Sequence, residues 1–320
     1  MSDEKYNNIN RTAETVLENI REIDRRDAAM HKIRYAHIKE LAYELFAASG
    51  YSKEASPFDM SWLENIRSLY LQIKNGRKES AEKAPFRALE NAELYVLASE
   101  IRALIGEEER LPVLQFFSEY GESVPSAASD KVACVNNYYT DTALSRFSSY
   151  LQKPSAVFLD SFSSACEDAA SLKYEYCIVP IENSDDGKLM SFYRLLAMHG
   201  LKIVLTTSVS ISDDSRSTTL ALAKRGIENL KKKENDTGAR YFEFCFVPDK
   251  ENSVSDICYA AELFGMRLYR IDSATITYLE NEFEYFVVLD TAGADLYKFL
   301  IYLTLKDLHY TPVGLYTHIK

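Results

Sequence analysis

From residue 131 onward, short apolar runs alternate with stretches of helical periodicity, and this rhythm restricts the chain to sheets whose strands are separated by covering helices. KVACV, SAVFL, YCIVPI and LKIVLTTSVSI are divided by helical stretches around residues 140–151, 162–172 and 188–199. Such alternation predicts a parallel sheet covered by helices. After STTLALAKRG comes the charged stretch IENLKKKENDTGA, which reads as a linker. The remainder reads strand 241–247, helix 254–264, strand 267–278, strand 284–290, helix 295–307 and strand 310–318. That βαββαβ order is the ferredoxin-like plan.

The first 120 residues follow a different rule. Ala13, Val16, Ile20, Ile23, Met30, Leu41 and Leu45 recur at three- and four-residue spacing, and Gly50 follows as a stop. One long amphipathic helix over 12–48 is predicted. Ser56-Pro57, with Asp59 three residues after the Ser, starts a second helix that carries Trp62, Leu63, Ile66, Leu69, Tyr70 and Ile73 to a stop at Gly76. Pro85 opens a third, ending before Gly106. Apolar stripes of this kind must pack on each other or on a second copy. Asp27 and Arg34 fall on the seam of the first helix, where a charge needs a partner or a ligand, and Asp27 could neutralise Arg34. YGESVPSAASD, rich in Gly, Pro and Ser, separates this helical part from the rest. The expected units are 1–120, 131–225 and 240–320.

Composition excludes several function classes. Hydrophobic residues make up 47% and charged residues 27%, the balance of a globular protein. The start MSDEKYNNIN has no apolar signal region, and no stretch nears the roughly 18 apolar residues needed to cross a bilayer, so a cytoplasmic protein without membrane contact is expected. A net charge of −11 opposes binding to nucleic acid, and the basic run Lys231–Lys233 lies within a mixed-charge linker. The five cysteines form no CxxC pair and the five histidines have no ligand spacing, so no metal and no cofactor is expected.

The strongest local signal is PIENSDDG, residues 180–187, directly after the apolar run YEYCIV. In α/β sheets ligands are met beyond the carboxyl ends of strands, which places Glu182, Asn183 and Ser184 where a carboxylate or hydroxyl could be received. Asn, Ser, Asp and Gly after a strand are also ordinary turn formers.

YEYCIVPIENSDDGKLMSFYRLLAMHGLKIV resembles the prephenate dehydratase stretch in which a DYGVVPIENS strand and loop precede a helix and another strand. The likeness extends upstream through FLDSFSSACEDAA and KVACV, and downstream into a region similar to the ACT domain, that family's regulatory module. Bifunctional members carry a helical chorismate mutase domain in front. The resemblance implies a multidomain α, α/β, α+β architecture. Its parts would be a helical bundle, half of a two-lobed periplasmic-binding-protein-like dehydratase domain, and a ferredoxin-like ACT domain.

Departures from the family pattern bear on its chemistry. Where the family has a Gly-rich loop with Ser and His, this chain reads NNYYTDTA, residues 136–143. The family's Thr-Arg-Phe triplet aligns with Ser217, Thr218 and Thr219, leaving Arg216 one position early as the nearest guanidinium. A fixed guanidinium matters because prephenate is a dianion. Only SDDSR separates the strand KIVLTTSVSI from STTLALA, where the family inserts a second lobe. The ACT ligand turn Gly-Ala-Leu corresponds to Asn252, Ser253 and Val254, and Glu-Ser-Arg-Pro to Asp272, Ser273, Ala274 and Thr275. On the mutase helix Arg34 aligns with a substrate-binding arginine, while Leu17 and Leu45 stand where the family uses Arg and Lys.

The resemblance therefore implies a regulatory or weakly active paralogue linked to phenylalanine biosynthesis. It would be a homodimer or larger, and its ligand a small carboxylate or an aromatic amino acid. The alternative is an active dehydratase, taking prephenate to phenylpyruvate, water and CO2 with Glu182, Asn183, Ser184, Arg216, Ser217 and Thr218 as a reduced site. A third reading is a scaffold that binds another protein through its helices.

Overall fold

The computed structural model describes residues 3–52, 61–79, 91–106, 130–211, 216–226, 240–250, 252–276 and 283–319. The predicted helix starts at Ser56-Pro57 and Pro85, most of the two linkers, and Lys231–Lys233 lie outside these residues. Among the described residues no helix is long and apolar enough to cross a membrane.

Three helices open the chain: α1 (Asp3–Ala48), α2 (Ser61–Glu79) and α3 (Asn91–Ile105). Gly50 (φ 77°) and Gly106 (φ 100°) follow the ends of α1 and α3 in the left-handed region, where a side chain would be strained. The second helix runs through the predicted stop at Gly76.

The α/β part is β1 (Lys131–Val135), α4 (Tyr138–Phe147), β2 (Ser155–Leu159), α5 (Phe162–Ala170), β3 (Tyr176–Asn183), β4 (Gly187–Lys188), α6 (Met190–Met198), β5 (Leu201–Ser210) and β6 (Ser217–Arg225). The βαββαβ part follows as β7 (Arg240–Phe246), α7 (Val254–Leu263), β8 (Arg267–Thr275), β9 (Phe283–Asp290), α8 (Leu296–Leu305) and β10 (Tyr310–Ile319). Its strand order, β10-β7-β9-β8, is that of a ferredoxin-like sheet.

All of these strands belong to one sheet, ordered β2-β1-β3-β6-β5-β10-β7-β9-β8, with β4 paired to β3. The sheet is mixed rather than parallel. β1, β2 and β3 are parallel, but β6 is antiparallel to both β3 and β5. Residues 211–216 are too few for the dozen or so that a parallel crossover needs, so the chain turns back as a hairpin closing at Ser210 and Ser217.

The seam between the two parts is the parallel pair β5–β10. Gly314 makes that approach possible. A Cβ there would lie 2.6 Å from the Ile203 carbonyl oxygen and 2.8 Å from the Ile203 Cβ.

Alternation along β7 sends Phe242, Phe244 and Phe246 to one face, where their rings follow one another at 5.1 and 5.9 Å. That face holds a core shared by α7, α8 and the N-terminal helices, among them Ile38, Trp62, Ile66, Leu97, Ile101, Phe299 and Tyr302. The helices thus pack on each other and on α7 and α8, with Arg67 of α2 reaching Asp307 just beyond α8. Farther from this core α1 is different: Val16, Ile20, Ile23, Met30 and Ile33 are exposed. The opposite sheet face carries a second core under α5 and α6, and α4 covers a third.

Candidate functional site

The PIENSDDG segment forms the end of β3, a tight turn and β4. A continuous apolar run buries β3 on both faces, and the polar turn closes where Asn183 faces Gly187. Gly187 takes φ 69°, which this turn needs and which few other residues accept. The Asn183 Oδ1 accepts from the amides of Asp185 (3.0 Å) and Asp186 (2.5 Å), and its Nδ2 donates to Asp186 Oδ2 at 2.9 Å. This is an Asx-type turn in which the side chain replaces missing backbone bonds.

The end of β6 meets this turn. Asn183 faces Thr218, and Glu182 faces Thr219. The Ser184 amide donates to the Ser217 carbonyl at 2.9 Å, and the Ser217 amide donates to Ser184 Oγ at 3.2 Å. Arg216 is exposed and stands 3.6 Å from Asp185. Asn183, Ser184, Arg216, Ser217 and Thr218 are therefore gathered at one sheet end, with Asn183 and Ser184 holding the turn. The segment 136–143 forms the start of α4, with Asn137 and Thr140 as a reciprocal capping box.

Glu182 belongs to a different environment. Arg270 Nη1 donates to Glu182 Oε1 at 2.7 Å, and Arg270 Nε donates to Asp272 Oδ1 at 2.9 Å. Lys188 Nζ lies 2.5 Å from Glu243 Oε1 and 3.3 Å from Asp272 Oδ2. Glu243 is fully buried, and the Lys188 side chain is only 6% exposed. Tyr316 donates to Glu243 Oε2 at 3.0 Å, and the Tyr193 phenol lies within reach of the same carboxylate's charge. The faces of Tyr193 and Phe286 approach the ammonium at 4.5 and 4.8 Å from their ring centres. Burial, with the Glu243 charge beside them, holds both phenols well above the ordinary tyrosine range. Burial depresses the Arg270 charge, but bonds to Glu182 and Asp272 outweigh it, so the guanidinium is held more firmly protonated than usual.

The remaining predicted residues lie apart. The carboxylate of Asp249 accepts from the backbone amide and side-chain Nδ2 of Asn252, whose Oδ1 is buried without a hydrogen-bond partner among the described residues. Ser253 caps α7 by accepting from the Asp256 amide at 3.1 Å, and Val254 is the first residue of that helix. Ser273 is exposed on β8. Arg34 pairs with Glu93 of α3, its Nη2 donating at 2.8 Å, so the partner on the bundle seam is Glu93 and not Asp27.

Lys188, Tyr193, Glu243, Arg270 and Tyr316 were not singled out from sequence. A signal existed for one of them. In RYFEFCF an acid sits inside a strand with aromatic residues on both sides, and period-two alternation puts it on the face opposite the phenylalanines.

No protein-family model matches the sequence, and no curated protein matches it. Among solved structures, prephenate dehydratase from Streptococcus mutans is similar at a TM-score of 0.49 and 16% identity, over 60% of this chain and 100% of that one. The quorum-quenching acylase GqqA is similar at a TM-score of 0.46 and 14% identity, over 58% and 94% of the two chains. Prephenate dehydratase from Arthrobacter aurescens, solved in complex with L-Phe, gives a TM-score of 0.44 and 13% identity, over 58% and 89%.

Proposed function

We propose that this chain is a regulatory relative of the prephenate dehydratases, linked to aromatic amino acid metabolism, which has given up efficient catalysis. The observation that carries this reading is the β5–β6 hairpin, closed by residues 211–216 between Ser210 and Ser217. Dehydration with loss of CO2 needs an oriented substrate with water excluded. With only a few residues between β5 and β6, and with Asn183 engaged in the β3–β4 turn and Ser184 bonded to Ser217, a substrate at this sheet end is left open to solvent on one side. The nearest guanidinium, Arg216, is exposed and faces Asp185.

The protein acts as a homodimer in this reading, with a small aromatic or carboxylate ligand as its signal. The dimer rests on α1, where Val16, Ile20, Ile23 and Met30 form an exposed stripe at three-, four- and seven-residue steps over some 20 Å of helix. A helix segment so exposed gains little from propensity alone and needs a covering surface.

The gathering of Asn183, Ser184, Ser217 and Thr218 at one sheet end favours a second reading, an active dehydratase with a reduced site completed by a partner subunit. Phenylpyruvate formation from supplied prephenate separates the two. Absence of turnover is expected; turnover abolished by Ser217→Ala would establish the second reading.

A further inference from the structure

Burying a lysine ammonium is costly unless charge and hydrogen bonds replace its water. Around Lys188 that replacement is assembled by elements other than its own hairpin. Glu243 comes from β7, Asp272 from β8, Phe286 from β9, Tyr316 from β10 and Tyr193 from α6. Carboxylates stand 2.5 and 3.3 Å from the nitrogen, and two aromatic faces lie within 5 Å. The phenol of Tyr316 fixes the second oxygen of Glu243. Glu243 thus presents one oriented oxygen to the ammonium from a fully buried position.

We propose that this enclosure on the βαββαβ part is a primary-ammonium binding site that the chain fills with its own Lys188. The short Glu243 contact requires an N–H donor, which a quaternary ammonium lacks, and the aromatic faces favour a cation over a neutral group. Lys188 stands one residue after the Asn183–Gly187 turn and pairs with Glu182 across β3–β4. Occupancy by this lysine consequently pins the turn to the C-terminal part of the sheet. An outside ammonium must compete with a tethered one, whose effective concentration is in the millimolar range or above. In the intact chain the site therefore stays shut to simple amines. The enclosure is built the same way whether or not the protein turns over prephenate.

The test is chemical rescue in the full-length protein. Lys188→Ala removes three methylenes and an ammonium, the atoms of n-propylammonium. The variant should melt lower than the parent. n-Propylammonium chloride at about ten times its dissociation constant should then raise its midpoint by roughly 2–4 °C in a saturable manner. n-Propanol, tetramethylammonium chloride and potassium chloride at equal concentration should have no such effect, and the parent protein should not respond to the amine. A folded Lys188→Ala protein that ignores n-propylammonium, or gains as much from n-propanol, overturns the proposal. Should Lys188→Ala not fold, Lys188→Met is compared with the double variant Lys188→Met/Glu243→Gln. The double variant should be the more stable, because Glu243 no longer lacks its cation; a less stable double variant overturns the proposal.

Discussion

Arg270 donates to Glu182 across 2.7 Å, although their strands, β8 and β3, stand six places apart in the sheet. Six strand spacings would hold them roughly 29 Å apart in a flat sheet. The contact therefore reports a sheet coiled back on itself, with the β3–β4 hairpin reaching across its face. Arg270→Ala should lower stability by about 1–2 kcal/mol in urea denaturation, a modest value because Glu182 is partly exposed. Arg270→Lys should recover little of it, since one ammonium cannot address Glu182 and Asp272 together as a planar guanidinium does. Full recovery by lysine would mean that only net charge matters here.

Gly314→Ala tests the seam between β5 and β10. The added methyl meets the Ile203 backbone at 2.6 Å and cannot be relieved by a side-chain rotation. A loss of more than about 2 kcal/mol is expected, with faster amide exchange along β5 and β10. Gly293→Ala is the control. Its Cβ meets nothing within 4 Å, so only its φ of 78° penalises it, by about 1 kcal/mol. Equal losses at the two sites would show that the seam is not tightly fitted.

The exposed stripe of α1 predicts a dimer at micromolar concentration in sedimentation velocity. Ile20→Asp combined with Ile23→Asp should yield monomers that keep the core formed by α2, α3, α7 and α8. A parent protein that sediments as a monomer would remove the basis for that interface.

Alkaline pH should destabilise the fold from about pH 9 upward. Burial pushes the Cys134 thiol up to about 11, against an ordinary value of about 8.5. Cys177 is raised by a thiol hydrogen bond with Cys166, and Cys245 by burial. Above pH 10 the tyrosines join them: Tyr193, Tyr297, Tyr302, Tyr310 and Tyr316 are all raised, chiefly by burial. In this range the unfolded chain releases protons that the folded chain keeps, so each rise in pH favours unfolding. Urea midpoints measured from pH 7 to 11 should be level at first and then fall. A flat profile to pH 11 would mean these groups are solvated.

Arg34→Ala separates a structural arginine from a mutase residue. Glu93 is buried and would lose a charge-assisted bond, a cost of about 1–2 kcal/mol given that Arg34 itself is partly exposed. Chorismate consumption should read zero for parent and variant alike. Measurable consumption abolished by Arg34→Ala, with the melting temperature unchanged, would identify a working pocket.

What the sequence determined by itself is local. The apolar spacing of α1 and the glycine after it, the strand and helix order of residues 240–319, and the turn at 183–187 all depend on residues a few positions apart. Chain periodicity and turn chemistry are sufficient for these. Tertiary structure alone decided the rest. Asn183, Ser184, Ser217 and Thr218 share a sheet end only because β6 runs antiparallel to β3, where the alternation of strands and helices had predicted a parallel sheet. Arg34 finds Glu93 instead of Asp27 because helix packing, not helix periodicity, chooses its neighbour. Lys188 meets Glu243 at a separation of 55 residues, and Arg270 meets Glu182 at 88. Neither contact leaves a pattern along the chain, since the coiling of a continuous sheet brings the partners together and Gly314 lets its two parts join.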